Sequence, residues 1–196
     1  MHTLRRLLEA LHSSNVDERR LAAIRLGENS DERSVSPLTM ALRDRSAGVR
    51  ASAAFALRKS RSPAVVQALM EALGDNNPDV RAMAAYSLGC IGNRESFDAL
   101  AKLLGDPSIH ARIVATQALG KSGDKRAGDK LLPLLHDEDW EIRWDAAEAL
   151  AKLGDSRAIP ALEGLQEDES IPDDLRRRVP ALLRRVGRII GARTDV

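Results

Sequence analysis

Leucine and alanine recur along this chain at a spacing that stacked helices explain. Leu7, Leu38, Leu69, Leu100 and Leu131 stand 31 residues apart, and so do Leu11, Leu42, Leu73, Leu104 and Leu135. A third series, Leu26, Leu57, Leu88, Leu119 and Leu150, keeps the same step, led four residues earlier by Ala22, Ala53, Ala84, Ala115 and Ala146. Within one period Val66, Leu69 and Leu73 fall at steps of three and four and share one helix face. Ala84, Ala85 and Leu88 share another. Each period therefore predicts a helical hairpin. A polar turn opening on Asp44, Asp75, Asp106 or Asp137 separates its two helices, with Ser13 at that place in the first unit.

Turn residues refine the hairpins. Pro78 and Pro107 lie in the turns, where a missing N–H costs little. Gly89, Gly92, Gly120, Gly123 and Gly154 sit at the exits and suit left-handed helix ends. Asp124 and Asp155 fit as starters of the following units. Pro133, inside Leu131–Leu135, should kink its helix. Self-similarity at this period predicts an all-α fold, an α-α superhelix of about six hairpins. The expected organisation is one domain over 1–196, with units near 1–29, 30–60, 61–91, 92–122 and 123–154 and a degenerate capping unit at 155–196.

Composition narrows the class. The chain is 43% apolar yet holds only five aromatic residues, so its core must come from Leu, Ala, Ile and Val. One cysteine excludes a disulfide framework and suits a reducing cytosol, and no apolar run is long enough for a membrane span. The net charge of +1 hides a segregation: residues 131–174 hold three basic against thirteen acidic residues, and residues 175–196 hold seven against one. These readings suit a cytoplasmic protein; they leave the oligomeric state open, with a monomer favoured.

The segment 153–162 (Leu-Gly-Asp-Ser-Arg-Ala-Ile-Pro-Ala-Leu) and the consensus Asp-x-x-x-x-Val/Ile-Arg-x-x-Ala-Ala-x-Ala-Leu resemble the HEAT-like repeats of the phycobilisome bilin lyase type. The resemblance covers nearly the whole chain and is specific to the repeat. Arg58 for the exit glycine, Thr116 for the second alanine, and Pro180 depart from it. It implies a HEAT-like solenoid, and as activities it admits bilin lyase subunits, deoxyhypusine hydroxylase and scaffolds. The hydroxylase uses His-Glu pairs on iron, whereas His2, His12, His110 and His136 are each followed by another residue, so no metal or cofactor is expected.

Arg19, Arg50, Arg81, Arg112 and Arg143 also keep the 31-residue step, which suggests pairing with the turn aspartates more than a track for phosphates. Positions the repeat leaves free are more informative. Those on the unpacked, inner face of the second helices include Phe55, Met83, Tyr86, Ile113, Val114, Gln117, Trp140, Glu141, Trp144, Asp145 and Glu148, with Ile24 in the first unit and Cys90 alongside. Four of the five aromatics fall there, while Phe97 takes a core position. Large rings on a variable face are the usual anchors of protein recognition, so a partner-binding groove is expected, with Trp140 and Trp144 as one anchor. Packing of the rings along the stack is the competing reading.

The C-terminal segment is basic and amphipathic. Arg176, Arg177, Arg178, Arg184, Arg185, Arg188 and Arg193 accompany Leu175, Val179, Leu182, Leu183, Val186, Ile189 and Ile190. A capping helix facing the acidic fifth unit is favoured over a basic contact through Arg177, Arg178 and Arg185. The leading function is a noncatalytic scaffold that holds a protein or peptide segment. A bilin-lyase-like handler of a tetrapyrrole is implied by the resemblance alone. A nucleic-acid binder using Trp140, Trp144, Asp145, Arg177 and Arg178 is opposed by the acidic fifth unit. No phosphate loop, catalytic triad or metal spacing appears, so catalysis is not expected.

Overall fold

The computed structural model describes residues 2–29 and 31–194; the side chains of His2, Thr3, Ile190, Ala192, Arg193 and Thr194 lie outside the described residues. Every regular element among the described residues is helical. The chain divides into two compact units, 1–115 and 116–196. The first holds α1 (His2–Ala10), α2 (Val16–Asn29), α3 (Val35–Ala41), α4 (Ala47–Ala56), α5 (Pro63–Ala72), α6 (Pro78–Ile91) and α7 (Phe97–Lys102). Helix α8 (Ile109–Ser122) carries the boundary. The second unit continues with α9 (Ala127–Leu131), α10 (Trp140–Leu153), α11 (Ile159–Glu167), α12 (Asp173–Arg176) and α13 (Val179–Thr194). Short 3-10 turns, such as Glu32–Ser34 and Arg94–Ser96, lead into several first helices.

In the first unit the second helices α2, α4 and α6 lie side by side, with α1, α3 and α5 paired against them. The periodic residues make this core: Ala22, Ala53 and Ala84, Leu26, Leu57 and Leu88, and Leu38, Leu69 and Leu100 are all buried. Leu7, at the first helix, is only half-buried. Small residues set the helix spacing. A Cβ placed on Gly27 would fall 2.6 Å from the Cα and Cβ of Ala56, so α2 and α4 approach near the lower limit for packed helices. Ser87 adds a tie across the next pair by donating to the carbonyl of Ala54 at 2.7 Å. In the second unit Leu119, Leu131, Leu150 and Leu162 are fully buried, and Gly120 brings α8 against Ala149 of α10 in the same close manner.

The exits correct part of the expectation. Gly92, Gly123 and Gly154 adopt φ of 69°, 68° and 67°, the left-handed helix ends foreseen for them. Gly89 and Gly120 instead lie inside α6 and α8, and at Gly120 the missing side chain serves close helix approach. Pro133 acts as expected: α9 ends at Leu131 and the chain continues as a 3-10 turn, Leu132–His136. One helix breaks the regularity. Helices α2, α6, α8 and α10 each run 14 residues, whereas α4 stops after 10 and passes into the 3-10 turn Leu57–Lys59.

Candidate protein-binding surface

The arginine series is consumed by the stack. Arg19 donates to Asp44 through Nε at 2.7 Å and Nη2 at 3.1 Å; Arg50 binds Asp75 and Arg81 binds Asp106 in the same two-pronged way. In the second unit Arg143 reaches Asp168 at 2.8 Å. Each of these arginines also donates to the main-chain carbonyl opening its own turn: Ser13 for Arg19, Asp44 for Arg50, Asp75 for Arg81 and Asp137 for Arg143. The aspartates hold the turns as well, because their carboxylates accept from the N–H two residues on, as Asp75 does from Asn77 at 2.9 Å. Hydrogen bonds from Arg50 and Arg81 hold Asp75 and Asp106 below the usual carboxylate range. These guanidinium groups are thus committed to turns and neighbours. Asp168 keeps the 31-residue step from Asp137, so the extra residues of the last unit fall after it, in the segment that forms α12.

Subtracting the ladder leaves the outer registers of the second helices. In the first unit Phe55 of α4 and Tyr86 of α6 stack with centroids 5.7 Å apart and planes inclined by 22°. Their registers differ by one period, so stacking follows from α4 and α6 lying side by side. Arg58 places its guanidinium 4.0 Å from the Phe55 ring centroid and donates to the Phe55 carbonyl at 3.0 Å. A hydrogen bond with the Cys90 thiol raises the Tyr86 phenol above its ordinary range, and the Arg58 charge opposes this. Cys90 itself is exposed. Beside the stack opens a cleft of about 600 Å³ lined by Arg20, Ile24, Ala51, Phe55, Met83 and Asp79. Asp79 is 3.7 Å from Nδ1 of His110.

Exposure marks this face. Among the described residues the exposed large apolar side chains are Val16, Leu21, Met40, Phe55 and Ile109, and all but Met40 occupy second-helix registers that the repeat leaves free. Val16, Leu21 and Arg20 escaped the sequence reading because Ser13 replaces the aspartate from which the register is counted. Counting from Ser13 recovers all three. Ile113 and Met83 are half-buried as a groove floor would be. Val114 is not part of that floor: it is 7% exposed, because its short branched side chain does not reach outward as Met83 does at the equivalent register.

The second unit overturns the expected tryptophan pair. Trp144 is only 4% exposed. Helix α13 packs against α10, and Arg178 just before it lays its guanidinium 5.5 Å from the Trp144 ring centroid while donating to Glu148 at 3.0 Å. Trp144 is therefore a packing residue under the C-terminal segment, and Trp140, half-buried, is left without it as an anchor. Glu141 is exposed, whereas Glu148 also meets Lys152 at 3.4 Å. Asp145 accepts from Nε2 of Gln117 at 2.9 Å. Burial pushes its carboxyl up to about 6, with the Gln117 hydrogen bond opposing and Glu148 reinforcing the rise. The basic segment behaves as a cap: Val179, Leu182 and Val186 are buried while Arg177, Arg184, Arg185 and Arg188 face outward. No group of three or more His, Cys, Asp and Glu able to hold a metal occurs among the described residues, and no helix there is long and apolar enough to cross a membrane.

Paired helices stacked through alanines and glycines, with arginine–aspartate ties at a constant step, define an α-helical repeat protein of the α-α superhelix class. Residues 4–89, 67–138 and 99–183 match the family model for HEAT repeats, and the chain belongs to that family. No curated protein sequence matches it. Among solved structures, the chain is similar to YibA of E. coli, at 24% identity and a TM-score of 0.73 over 93% of this chain and 70% of that one. It is similar also to the CpcE–CpcF complex of phycocyanin lyase from Nostoc sp. PCC7120, at 22% identity and 0.53 over 93% and 94%. A designed armadillo repeat protein in complex with the peptide (KR)4 gives 22% and 0.62 over 93% and 99%. At these identities the likeness is one of fold.

Proposed function

We propose that this chain is a noncatalytic scaffold that holds a segment of another protein on the second-helix face of its first unit. The observation that carries the reading is that Val16, Leu21, Phe55 and Ile109 are exposed at free second-helix registers of this unit, with the Phe55–Tyr86 stack and its neighbouring cleft on the same registers. A folded chain that builds its core from Leu and Ala gains nothing for stability by leaving such groups in water, and contiguous exposed apolar surface usually marks a partner site. Phe55 and Tyr86 serve as the anchor, Met83 and Ile113 as floor, and Arg20 and Asp79 as polar rim. Precedent for the fold in this use is the designed armadillo repeat protein with its bound peptide. On the second unit, taken by itself, Gln117, Trp140, Glu141, Asp145 and Glu148, with Arg177 and Arg185, are further candidate contacts for a partner. The reading takes the reducing cytosol as setting.

The test is selection of binders from a displayed random-peptide library on the intact chain, followed by titration of the best peptide. Phe55→Ala should weaken it by about 2 kcal/mol or more, as for a central aromatic anchor, with helicity unchanged. Peptides that bind the variant equally well refute the anchor. Free bilin mixed with the chain separates the tetrapyrrole alternative: a spectral shift lost in Phe55→Ala, without selectable peptides, would replace the scaffold reading.

A further inference from the structure

A cleft opens beside the end of α4, where the helix gives way to a 3-10 turn. In the repeats ending at Gly92, Gly123 and Gly154, a left-handed glycine closes the second helix; one period earlier the residue is Arg61. The chain passes from α4 through the 3-10 turn Leu57–Lys59 and is extended at Ser60, with φ −86° and ψ 124°. The following first helix changes too: α5 begins at Pro63 without the 3-10 turn that precedes α3 and α7. The space left holds a cleft of about 510 Å³ within the first unit, in the roughly 300–1,000 Å³ range of small-molecule sites.

The lining has an apolar floor and a polar mouth. Leu26, Leu38 and Leu57 supply the floor. Ser34 lines the same cleft, 2% exposed, and its Oγ has no hydrogen-bond partner among the described residues. Its counterpart one hairpin pair later, Ser96, donates to the Asn93 carbonyl at 2.7 Å. A buried hydroxyl without a partner is costly and is normally satisfied by something. At the rim stand Lys59 and Arg61, both exposed, and Arg61 makes no ion pair among the described residues. Against them are Glu32 and Asp31, and Asp31 already receives Arg33 on both carboxylate oxygens. Arg61, with no ion pair among the described residues, leaves a positive charge at the mouth.

We infer that this cleft binds a small amphiphilic anion, its apolar body on Leu26, Leu38 and Leu57, its acidic head at Arg61 and Lys59, and an oxygen accepting from Ser34. The site is separate from the protein-binding face and does not depend on that reading. Arg61 lines the cleft and supplies charge at its mouth.

Anilinonaphthalene sulfonate, an aromatic body with one anionic head, is the probe, followed by fluorescence on the intact chain and displaced by decanoate. One site per chain is expected, with decanol displacing about tenfold less well because it lacks the charge. Arg61→Gly removes the charge together with the whole side chain, and should lose probe binding by about tenfold or more. Arg61→Gln keeps the cleft and removes the charge, and Ser34→Ala removes the hydroxyl; each should weaken decanoate several-fold. Ser60→Phe blocks the mouth without touching the helix stack, and should abolish binding even if Arg61→Gly folds poorly. Equal binding by a folded Arg61→Gly, or by Ser60→Phe, overturns the site. Equal displacement by decanol and decanoate overturns its anion preference.

Discussion

The two glycines Gly120 and Gly164 test the packing argument against each other. Both sit inside helices, α8 and α11, so alanine at either should gain about 1 kcal/mol of helix propensity. Their surroundings differ. A Cβ on Gly120 would lie 2.4 Å from Ala149 Cβ and 3.0 Å from its Cα, whereas Gly164 has nothing within 4 Å. Ordinary carbon contacts are about 3.5–4.0 Å, so α8 and α10 would have to separate by roughly 1 Å, and the obstacle is a rigid helix wall. Overpacking of this kind costs about 1–3 kcal/mol, which exceeds or cancels the propensity gain. Gly164→Ala should therefore raise the melting temperature and Gly120→Ala lower it, by roughly 2–4 °C per kcal/mol for a chain this long. Thermal unfolding followed by circular dichroism reads both, with Gly27→Ala expected to follow Gly120→Ala because Ala56 lies 2.6 Å from its new Cβ. Gly120→Ala as stable as Gly164→Ala would show that small residues do not set the helix spacing.

Three further outcomes follow from the polar ties. Asp75→Asn leaves the Arg50 guanidinium, 13% exposed, without its anion, and should cost about 2–4 kcal/mol in urea unfolding, while Arg50→Met with Asp75→Leu recovers much of it; a loss below that of an exposed pair such as Arg43–Glu71 would refute the role. Because Asp75 and Asp106 ionise at lower pH folded than unfolded, their stabilisation is complete above about pH 4 and is lost as pH falls through the depressed folded values; a denaturation midpoint flat across that window contradicts this. Asp145 has the opposite sign, since burial raises its carboxyl to about 6, so Asp145→Asn should stabilise the chain above that pH and much less near pH 4. Equal effects at both pH values would contradict it.

How far the chain could be read in advance depended on the range of the interactions involved. Helix pairs, turns and the break at Pro133 rest on local geometry repeated every 31 residues, and each copy corroborates the others. The arginine–aspartate ties were legible because both series share the step, although only the coordinates reveal that each arginine serves its own turn and the next. Trp144 was misjudged for the converse reason. What covers it is Arg178, in the one unit where the repeat frame slips, so counting along the frame could not find it. Phe55 and Tyr86 were legible as a surface pair, but Arg58 over the ring was recorded only as a missing glycine. Arg61 carried a signal of the same type, an absent glycine at a position where three later copies have one.

The ties between arginine and aspartate point one way along the chain. Arg19, Arg50, Arg81 and Arg143 each look 25 residues forward for a carboxylate. The two ends are therefore not equivalent. A chain shortened from its beginning loses a donor and leaves behind an aspartate that water can solvate. A chain shortened from its end strands a half-buried cation. The last unit has drifted in length and sequence but still presents Asp168 to Arg143, which makes it a counter-ion donor before it is anything else. Adding or removing one whole 31-residue block keeps every such pair intact, whereas an insertion of any other length between donor and acceptor breaks one.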